Sequence, residues 1–516
     1  MLNNPLIPGD PYSYDLKWLV AKVKEILAQL GTLDEAIEAK IFEGFLEHSV
    51  VQFQTVPEML AADITDGSVV LTLGYHEAGD QGGLFYLVKD FNPSQCSLEY
   101  FLTLDNNKQI AIPVFVTPYV TPEMFGAYGD GETVTSEALQ TSFDYAIEHS
   151  MDVSLNNEYL IDASIQVKGV RNTYQGSGSK IIGNGYAKIK AGAAMASILE
   201  LVPFTDTTAY GIKISELYLE GNNLAAAGIH SAVSASECVF EDLQITYCTD
   251  AIHMANNCYL NTFKNIRAYE CTGWGIRFTG GICTSNVFEK CYTDNCANGY
   301  YINGQYSSMI SCCTDGVTGT VFDLHSFTGT LVACGSEATS FQRMFKIGSN
   351  SVVTVTGGMF FSNPDLPEYY IEVAPGSVFN IYGALLNYTT ASTTTGALVT
   401  TGANSTLKIR DSYIYSTFTG TDYITSSAKV LINTAVKYME QTVNIDTNGL
   451  AVLADLNPRR HTILSLATNR SGWVPLVYAR TETSYGVKMA GGANYTTTTG
   501  DTAFTCYIYY VDNNLI

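Results

Sequence analysis

A repeat with a period of about 23 residues runs through the middle of this 516-residue chain. The cysteines show it in two series, at steps of 21 and 22 residues and of 23 and 25 residues: Cys291, Cys312, Cys334 and Cys248, Cys271, Cys296. A fixed period of this length is the signature of an architecture in which similar structural units stack on one another.

Apolar residues repeat with the same period at the starts of short segments. One series has steps of 21 to 25 residues: Ile229, Ile252, Ile276, Tyr301, Phe322, Phe345. A second series has similar steps and continues more loosely towards residue 432: Phe240, Phe263, Phe288, Ile310, Val332, Val353, Phe379, Leu407, Val430. Alternating apolar and polar residues around these positions indicate half-buried strands.

Each repeat is predicted to form one coil of a parallel β-helix. No helical spacing occurs between residues 200 and 350, where β-branched and aromatic residues dominate. Stacked coils lie about 4.8 Å apart, so like residues come to lie on like residues. The cysteine series are then columns of small buried side chains. Reactive or metal-binding thiols are the alternative, but no cysteine pair has the C-x2-C spacing of a zinc site, and no metal or other cofactor is expected.

The charge composition limits the partners of the chain. Charged residues make up only 15% of it and the formal net charge is −23. Nucleic-acid binding needs clustered Lys and Arg, so no nucleic-acid partner is expected. There is no run of 18 apolar residues, so no membrane insertion is expected, and the first residues lack the pattern of a signal peptide. Acidity favours neutral or polyhydroxylated partners.

Composition shifts predict four regions: a helical segment at residues 1–50, a small mixed α/β domain at 51–118, the parallel β-helix at 119–435 and a β-sandwich-like C-terminal domain at 436–516. The first segment has apolar residues at heptad spacing, typical of an amphipathic helix or a short helical bundle: Leu16, Val20, Val23, Leu27, Leu30.

Residues 121–148, TPEMFGAYGDGETVTSEALQTSFDYAIE, resemble the first segment of pectate-lyase-like β-helix proteins, above all phage tailspikes. The glycines suit a tight turn, and Thr135 or Ser136 can cap the following helix. Apolar residues of that helix can cover the open end of the first coil: Leu139, Phe143, Ala146, Ile147. The Glu-Thr-Val-Thr-Ser stretch after Gly131 departs from the family, which usually has two Asp there, so this segment gives catalysis no support.

Residues 66–88 are similar to a segment common in the virion-proximal parts of phage tail proteins. Together the resemblances imply a mostly β fold with a right-handed parallel β-helix. They also imply a homotrimer in the virion tail, made in the cytoplasm of the bacterial host. Its N-terminal region would attach to tail or collar proteins, and it would bind, and in many relatives cleave, a polysaccharide of the host surface.

Cleavage of a polysaccharide needs paired carboxylates. Asp294, Asp315 and Glu337 each lie three residues after a cysteine of one series, which predicts that they stack in one column. Neighbouring coils would hold two of them about 5 Å apart and the outer two about 10 Å apart. Like charges this close are expected to raise the pKa of one carboxyl group. An ordinary polar turn is the alternative explanation.

Five aromatic residues near this column are candidates for stacking on sugar rings: Tyr269, Trp274, Tyr292, Tyr300, Tyr306. A further outward column, His230, His253 and Arg277, is interpreted as a solvated face.

Three functions follow: a tailspike that recognises and can hydrolyse or otherwise cleave a surface glycan, a tail appendage that binds without turnover, and a cellular polysaccharide hydrolase or lyase.

Overall fold

The structure is a computed structural model. It describes residues 50–91, 100–169, 180–185, 187–204, 207–337, 343–362, 370–388, 399–416, 429–433, 437–444, 450–453, 461–468, 473–480, 485–491 and 503–512. The predicted helical segment at 1–50 lies almost entirely outside these residues. The fold is mostly β and contains a parallel β-helix of about 10 turns. The chain divides into two units, residues 1–233 with 238–244 and residues 234–237 with 245–516.

The first unit begins with a five-stranded sheet and one short helix, α1 (Val56–Ala61). In spatial order the strands are Val51–Phe53, Val69–Thr72, Phe85–Asp90, Gln109–Val114 and Leu102–Thr103. Its first two strands pair in parallel and the others in antiparallel fashion. This part of the first unit therefore contains both strands and a helix.

The coils of the first unit include a 3-10 turn at Pro122–Phe125 and a helix, α2 (Ser136–His149), among their first strands. Their strands are Tyr119–Val120, Asp130–Val134, Asp152–Leu155, Glu158–Ile161, Ile165–Lys168, Lys180–Gly183, Lys188–Ala191, Met195–Val202, Thr208–Tyr210, Lys213–Glu220, Ala225–Ser231 and Val239–Thr246, the last of which extends into the second unit. The coil strands pair in parallel, with Ile165 beside Leu199 and Leu199 beside Ile229.

The segment that resembles tailspikes begins these coils. Gly126, Gly129 and Gly131 have φ values of 93°, 66° and 68°, a left-handed backbone that glycine adopts without strain. Helix α2 buries Leu139, Phe143 and Ala146 against the first coil, as expected for a cap. The Thr135 hydroxyl accepts no capping hydrogen bond from a helix N–H, and it donates to the Leu160 carbonyl.

The second unit contains three parallel ladders of strands. The first ladder is Asp250–Met254, Trp274–Phe278, the start of Asn298–Ile310, the start of Thr320–Val332, Arg343–Ile347, Ile371–Val373 and Val399–Thr401. The second is the start of Thr262–Tyr269, Val287–Glu289, the ends of Asn298–Ile310 and Thr320–Val332, Val352–Thr356, Val378–Tyr382, Thr406–Arg410 and Lys429–Asn433.

The third ladder is the end of Thr262–Tyr269, Tyr292–Asp294, Cys313–Asp315, Gly335–Ser336, Met359–Ser362, Leu385–Tyr388 and Tyr413–Ser416. Short strands Ser234–Ser236, Cys258–Tyr259 and Cys283–Thr284 lie between the first and second ladders. Two antiparallel sheets complete the unit: Lys437–Asn444, Ala503–Asp512, His461–Thr468 and Leu450–Leu453, Tyr485–Gly491, Trp473–Arg480.

The chain turns from the second ladder to the third through residues in the left-handed region. These residues have φ between about 50° and 67° and are stacked coil on coil: Asn265, Lys290, Ser311, Ala333, Gly357, Gly383, Asp411. A similar set, Tyr247, Glu270, Asn295 and Gly316, ends the third ladder. A left-handed non-glycine residue carries a steric cost, so the repeated corners are stabilised by the hydrogen bonds that each coil makes with the next.

Stacked side chains fill the interior. Phe263 stacks on Phe288 with ring centres 5.2 Å apart, and Tyr300 stacks on Phe322 at 5.4 Å. Such pairs contribute about 0.5–1.5 kcal/mol each beyond burial. The column Cys291, Cys312, Cys334 is present, because the Cys313 amide donates to the Cys291 carbonyl and the Gly335 amide to the Cys312 carbonyl. All three thiols are buried and free, so the interpretation of the cysteines as core residues is confirmed.

The first apolar series is shifted by one residue at one coil. Ile276 pairs with Tyr300, which pairs with Phe322, and all three side chains are buried. The sequence analysis had placed Tyr301 in this column. A shift of one residue moves a side chain to the opposite face of a strand, so Tyr301 lies on the outside.

The second series is shifted in the same way. Phe288 pairs with Met309, and Met309 pairs with Leu331. The expected members Ile310 and Val332 face outward, each 39% exposed. From Val353 onward the expected pairing with Phe379, Leu407 and Val430 is confirmed.

Candidate functional site

The three acidic residues stack on the outer side of the third ladder. Asp294 pairs directly with Asp315. Glu337 follows in the next coil, because its amide donates to the Thr314 carbonyl of the preceding coil. The register that the cysteines predicted for these residues is confirmed. We call Asp294, Asp315 and Glu337 the acidic column.

One cation lies against the acidic column among the residues that the structure describes. The Arg267 guanidinium Nη2 donates to the Asp294 carboxylate over 3.0 Å, and its side chain is 56% exposed. An ion pair this exposed contributes little to stability, about 1 kcal/mol or less. Its effect is to fix the orientation of the Asp294 carboxylate.

Tyr292 and Tyr269 flank the acidic column. The Tyr292 ring lies 5.9 Å from the Arg267 guanidinium. Burial raises the pKa of Tyr292, and the charges of Asp315, Asp294 and Glu337 raise it further. Tyr269 is the register neighbour of Asp294, and its pKa is raised chiefly by a hydrogen bond with the adjacent Glu270. Both hydroxyls therefore keep their protons at neutral pH and can donate to a ligand.

A closely packed row of residues lies beside the acidic column. Tyr292, Cys313, Gly335 and Met359 form this row, one residue per coil. Gly335 is buried, and a Cβ there would lie 2.9 Å from the Met359 carbonyl oxygen. Glycine at this position therefore allows the close approach of the Met359 backbone.

Tyr300 does not contact a ligand from the surface. It is fully buried, and its hydroxyl donates to the carbonyls of Cys291 and Cys313 over 2.8 and 3.0 Å. It was a candidate for stacking on a sugar because it lies near the acidic column in the sequence, but the structure places its side chain in the core. Its role is to fill the core and to bind two backbone carbonyls that the coils bring together.

Trp274 and Tyr306 lie outside the third ladder. Tyr306 is 73% exposed at a left-handed corner between the first and second ladders. Trp274 begins a strand of the first ladder, and its ring packs edge-on against Tyr301 at 5.4 Å. Of the five aromatic candidates, the structure therefore places Tyr269 and Tyr292 beside the acidic column.

The first ladder carries a set of charged residues that the sequence analysis did not assign to a site. The Arg277 guanidinium donates to the Asp250 carboxylate over 3.1 Å, and the Lys346 ammonium donates to the Asp323 carboxylate over 3.0 Å. Both carboxylates are almost completely buried. We call Asp250, Trp274, Arg277, Tyr301, Asp323, His325 and Lys346 the paired-charge cluster.

The rings of the paired-charge cluster lie between the two ion pairs. Tyr301 stacks on His325 with ring centres 4.9 Å apart. The His325 Nε2 lies 2.5 Å from the Asp323 carboxylate, and neither atom has a partner in hydrogen-bonding orientation among the described residues. Burial raises the pKa of Tyr301, and the charge of Asp323 adds to this.

One part of the paired-charge cluster had been seen in the sequence. His253 pairs with Arg277 in the ladder, as the outward column predicted. The interpretation as a solvated face missed the carboxylates, because Asp250 and Asp323 belong to neighbouring positions and reach the cations only through the fold.

The first unit has a polar cleft of about 510 Å³ near the start of the coils. Its lining includes Tyr119, Thr121, Asp152, Asn156 and Asn184. None of the residues proposed from the sequence lines it. The Asp152 carboxylate accepts from the Lys180 amide, which makes it part of the strand structure, so we do not assign the chemistry to this cleft.

No helix in the described ranges is long and apolar enough to cross a membrane. Within the same ranges, no group of three or more His, Cys, Asp and Glu side chains is placed to hold a metal ion.

Comparison with solved structures identifies the fold. The tailspike gp42 of Acinetobacter phage vb_AbaP_AS12 is similar over 88% of this chain and 96% of its own length, with a TM-score of 0.60 and 14% identity. The chain has the tailspike fold. No family model and no curated protein matches the sequence.

Two other solved tailspikes align with lower scores. The enzymatically active domain of tailspike protein 4 of bacteriophage CBA120 aligns over 93% of this chain and 78% of its own, with a TM-score of 0.45 and 10% identity. Tailspike gp49 of Acinetobacter baumannii bacteriophage Fri1, a capsular polysaccharide depolymerase, aligns over 90% and 98%, with a TM-score of 0.34 and 10% identity. These two scores are too low to support an argument about this chain.

Proposed function

We propose that this protein is a phage tailspike that binds a polysaccharide of the host surface and cleaves it at the acidic column. The tailspike fold supports the class of protein, and the direct pairing of Asp294 with Asp315 is the observation that carries the chemistry. The proposal includes assembly as a homotrimer in the virion tail, with attachment to other tail or collar proteins through the N-terminal region.

The geometry of the acidic column suits glycoside hydrolysis. In-register residues on neighbouring coils are about 4.8 Å apart, close to the roughly 5–5.5 Å between the carboxyl groups of retaining glycosidases. Asp294 is fixed by Arg267 and suits the nucleophile. Asp315 has no side-chain cation against it among the described residues and suits the acid. Asp294 and Glu337 lie two coils apart, about 10 Å, near the separation of inverting enzymes.

The neighbouring side chains suit a sugar ring. Tyr292 offers an aromatic ring and a protonated hydroxyl. Sugar faces pack on aromatic rings, and their hydroxyls need donors and acceptors from side chains. The acidic column supplies acceptors, and Arg267 and Tyr292 supply donors.

The test is to incubate the purified full-length protein with a panel of bacterial surface polysaccharides and to measure both binding and new reducing ends. We expect Asp294→Asn and Asp315→Asn to lower cleavage at least about 100-fold while binding persists, since a positioned acid or base contributes about 10²–10⁴-fold. Glu289→Gln is the matched control, because Glu289 is an acid of the same coil on the second ladder.

Each other outcome has a clear meaning. Cleavage that persists in both variants would show that the acidic column is not the active site. Binding without any new reducing ends in the parent protein would favour an appendage that only binds. A parent protein that binds no polysaccharide would refute the proposed function.

A further inference from the structure

The paired-charge cluster presents its cations to solvent and hides its carboxylates. The Arg277 side chain is 38% exposed above an Asp250 side chain that is 5% exposed. Lys346 is 32% exposed above Asp323, which is 4% exposed. A ligand that approaches the first ladder therefore meets positive groups, although each ion pair is neutral as a whole.

The buried carboxylates fix the cations in place. Among the described residues, Arg277 gives one N–H to Asp250 and Lys346 gives one N–H to Asp323. A guanidinium has five donors and an ammonium has three, so both cations keep donors for a second partner. Because the side chains are already oriented, binding a ligand would cost less side-chain conformational entropy than it does with mobile lysines and arginines.

A set of rings spans the space between the two cations. Tyr301 is the register neighbour of Arg277 on one side and of Asp323 on the other. Its ring contacts Trp274 edge-on and stacks with His325. Aromatic rings that are apolar on the face and polar at the tip are suited to the faces of sugars.

The order of residues along the ladder sets the spacing of the cations. Arg277, Tyr301, Asp323 and Lys346 occupy successive coils. Arg277 and Lys346 are then about 14 Å apart, three steps of about 4.8 Å. An extended chain carrying negative groups could contact both cations while one of its rings packs on Tyr301.

We propose that the paired-charge cluster is a second saccharide-binding site that takes a sugar bearing a carboxylate. The acidic column cannot take such a sugar as easily, because it has three carboxylates and one arginine. Only the short turn 295–297 separates Asp294 from Asn298, where the first ladder resumes. The two sites therefore lie on consecutive faces of the same coils. This inference rests on the proposed function and adds that the polysaccharide is an acidic one.

The experiment compares acidic bacterial polysaccharides with the same polymers after chemical reduction of their carboxyl groups to alcohols. Binding of the full-length protein is measured by biolayer interferometry on immobilised polymer. We expect the parent protein to bind at least one acidic polymer, and to bind its reduced form at least about tenfold more weakly, the loss expected for one charged contact. This arm uses no substitution and does not depend on the folding of a variant.

Variants locate the site. Arg277→Gln and Tyr301→Ala are expected to weaken binding of the acidic polymer at least about tenfold, and Arg277→Lys is expected to recover part of the loss because it keeps the charge. Lys290→Gln is the matched control, because Lys290 is a well-exposed cation that pairs with an acidic neighbour on another face. Circular dichroism confirms that each variant keeps the fold of the parent.

The outcomes separate this inference from the proposed function. Equal binding of acidic and reduced polymers, or undiminished binding by both Arg277→Gln and Tyr301→Ala, would overturn the second site while leaving polysaccharide binding intact. Failure of the parent to bind any polymer would overturn both. Loss of cleavage in Asp294→Asn with normal binding at the cluster would support both.

Discussion

Replacing Tyr300 by phenylalanine should lower stability and leave glycan binding unchanged. The hydroxyl is fully buried and donates to two backbone carbonyls, those of Cys291 and Cys313. Removing a buried hydrogen bond costs about 1 kcal/mol, and up to about 2 kcal/mol when an acceptor is left without a partner. The Cys291 carbonyl keeps the bond from the Cys313 amide, so we expect a loss near the lower value.

The free energy of unfolding is measured by denaturant titration of parent and variant under identical conditions, followed by circular dichroism. A change of about 1 kcal/mol alters the ratio of folded to unfolded protein about fivefold. Tyr301→Phe is the matched control, because Tyr301 is the next residue in the strand and faces outward. The free energy of unfolding of this variant should differ from that of the parent by less than about 0.5 kcal/mol. The reasoning fails if Tyr300→Phe keeps parental stability but loses polysaccharide binding, since the side chain would then face a ligand.

Four further predictions concern the turn, the acidic column and the cysteines. Gly126→Ala should destabilise the protein by about 1–3 kcal/mol more than Gly79→Ala in thermal or denaturant unfolding. Both glycines have positive φ, but a Cβ at Gly126 would lie 2.9 Å from a tyrosine ring, whereas one at Gly79 would meet nothing within 4 Å. Equal losses of stability in the two variants would contradict this. The raised pKa of Tyr292 means that the unfolded chain loses this proton first, so stability should fall as pH rises above 10.0. Asp315→Asn should lower the pKa of Tyr292 in an ultraviolet absorbance titration. An unchanged titration would show that the Asp315 charge does not act on the Tyr292 hydroxyl. Native alkylation mapped by mass spectrometry should modify Cys313 first among the cysteines with described side chains, because the others are buried; equal labelling of a buried thiol would contradict the core assignment.

The sequence predicted the architecture because the period of the repeat and the alternation within it are both properties of one coil. It also predicted the register of the acidic column. The offset from Cys291 to Asp294 and from Cys312 to Asp315 is three residues in each coil, and the same left-handed corner precedes each cysteine. No residue is inserted between the cysteine and the acidic residue of a coil, so the offset is the same from coil to coil.

The same method failed where a corner or bulge changes the count. The strand Asn298–Ile310 runs through the boundary between two ladders and contains register shifts near Gln305. Tyr301 was placed in the core and Tyr300 outside it, because both are aromatic and adjacent. Only the pairing of Ile276 with Tyr300 decides between them.

The paired-charge cluster could not be derived from spacing. Asp250 contacts Arg277, which lies 27 residues further along the chain, and Asp323 contacts Lys346, 23 residues along. A periodic sequence offers many such pairs, and side-chain direction chooses among them. The burial of the two carboxylates, which distinguishes the cluster from an ordinary solvated face, is a property of packing and has no local signature.

The repeated left-handed corners make one whole coil the length of sequence that can be inserted or deleted with the least disruption. In the second unit the described coils turn at the same corner positions, so gain or loss of one whole circuit would leave the remaining hydrogen bonds and columns matched. Such an event would lengthen or shorten each ladder by about 4.8 Å. Gain or loss of an odd number of residues within a strand would instead exchange the inside and outside of the strand positions that follow. We therefore expect length differences among natural variants of this chain to occur as complete circuits or within the connections between the ladders.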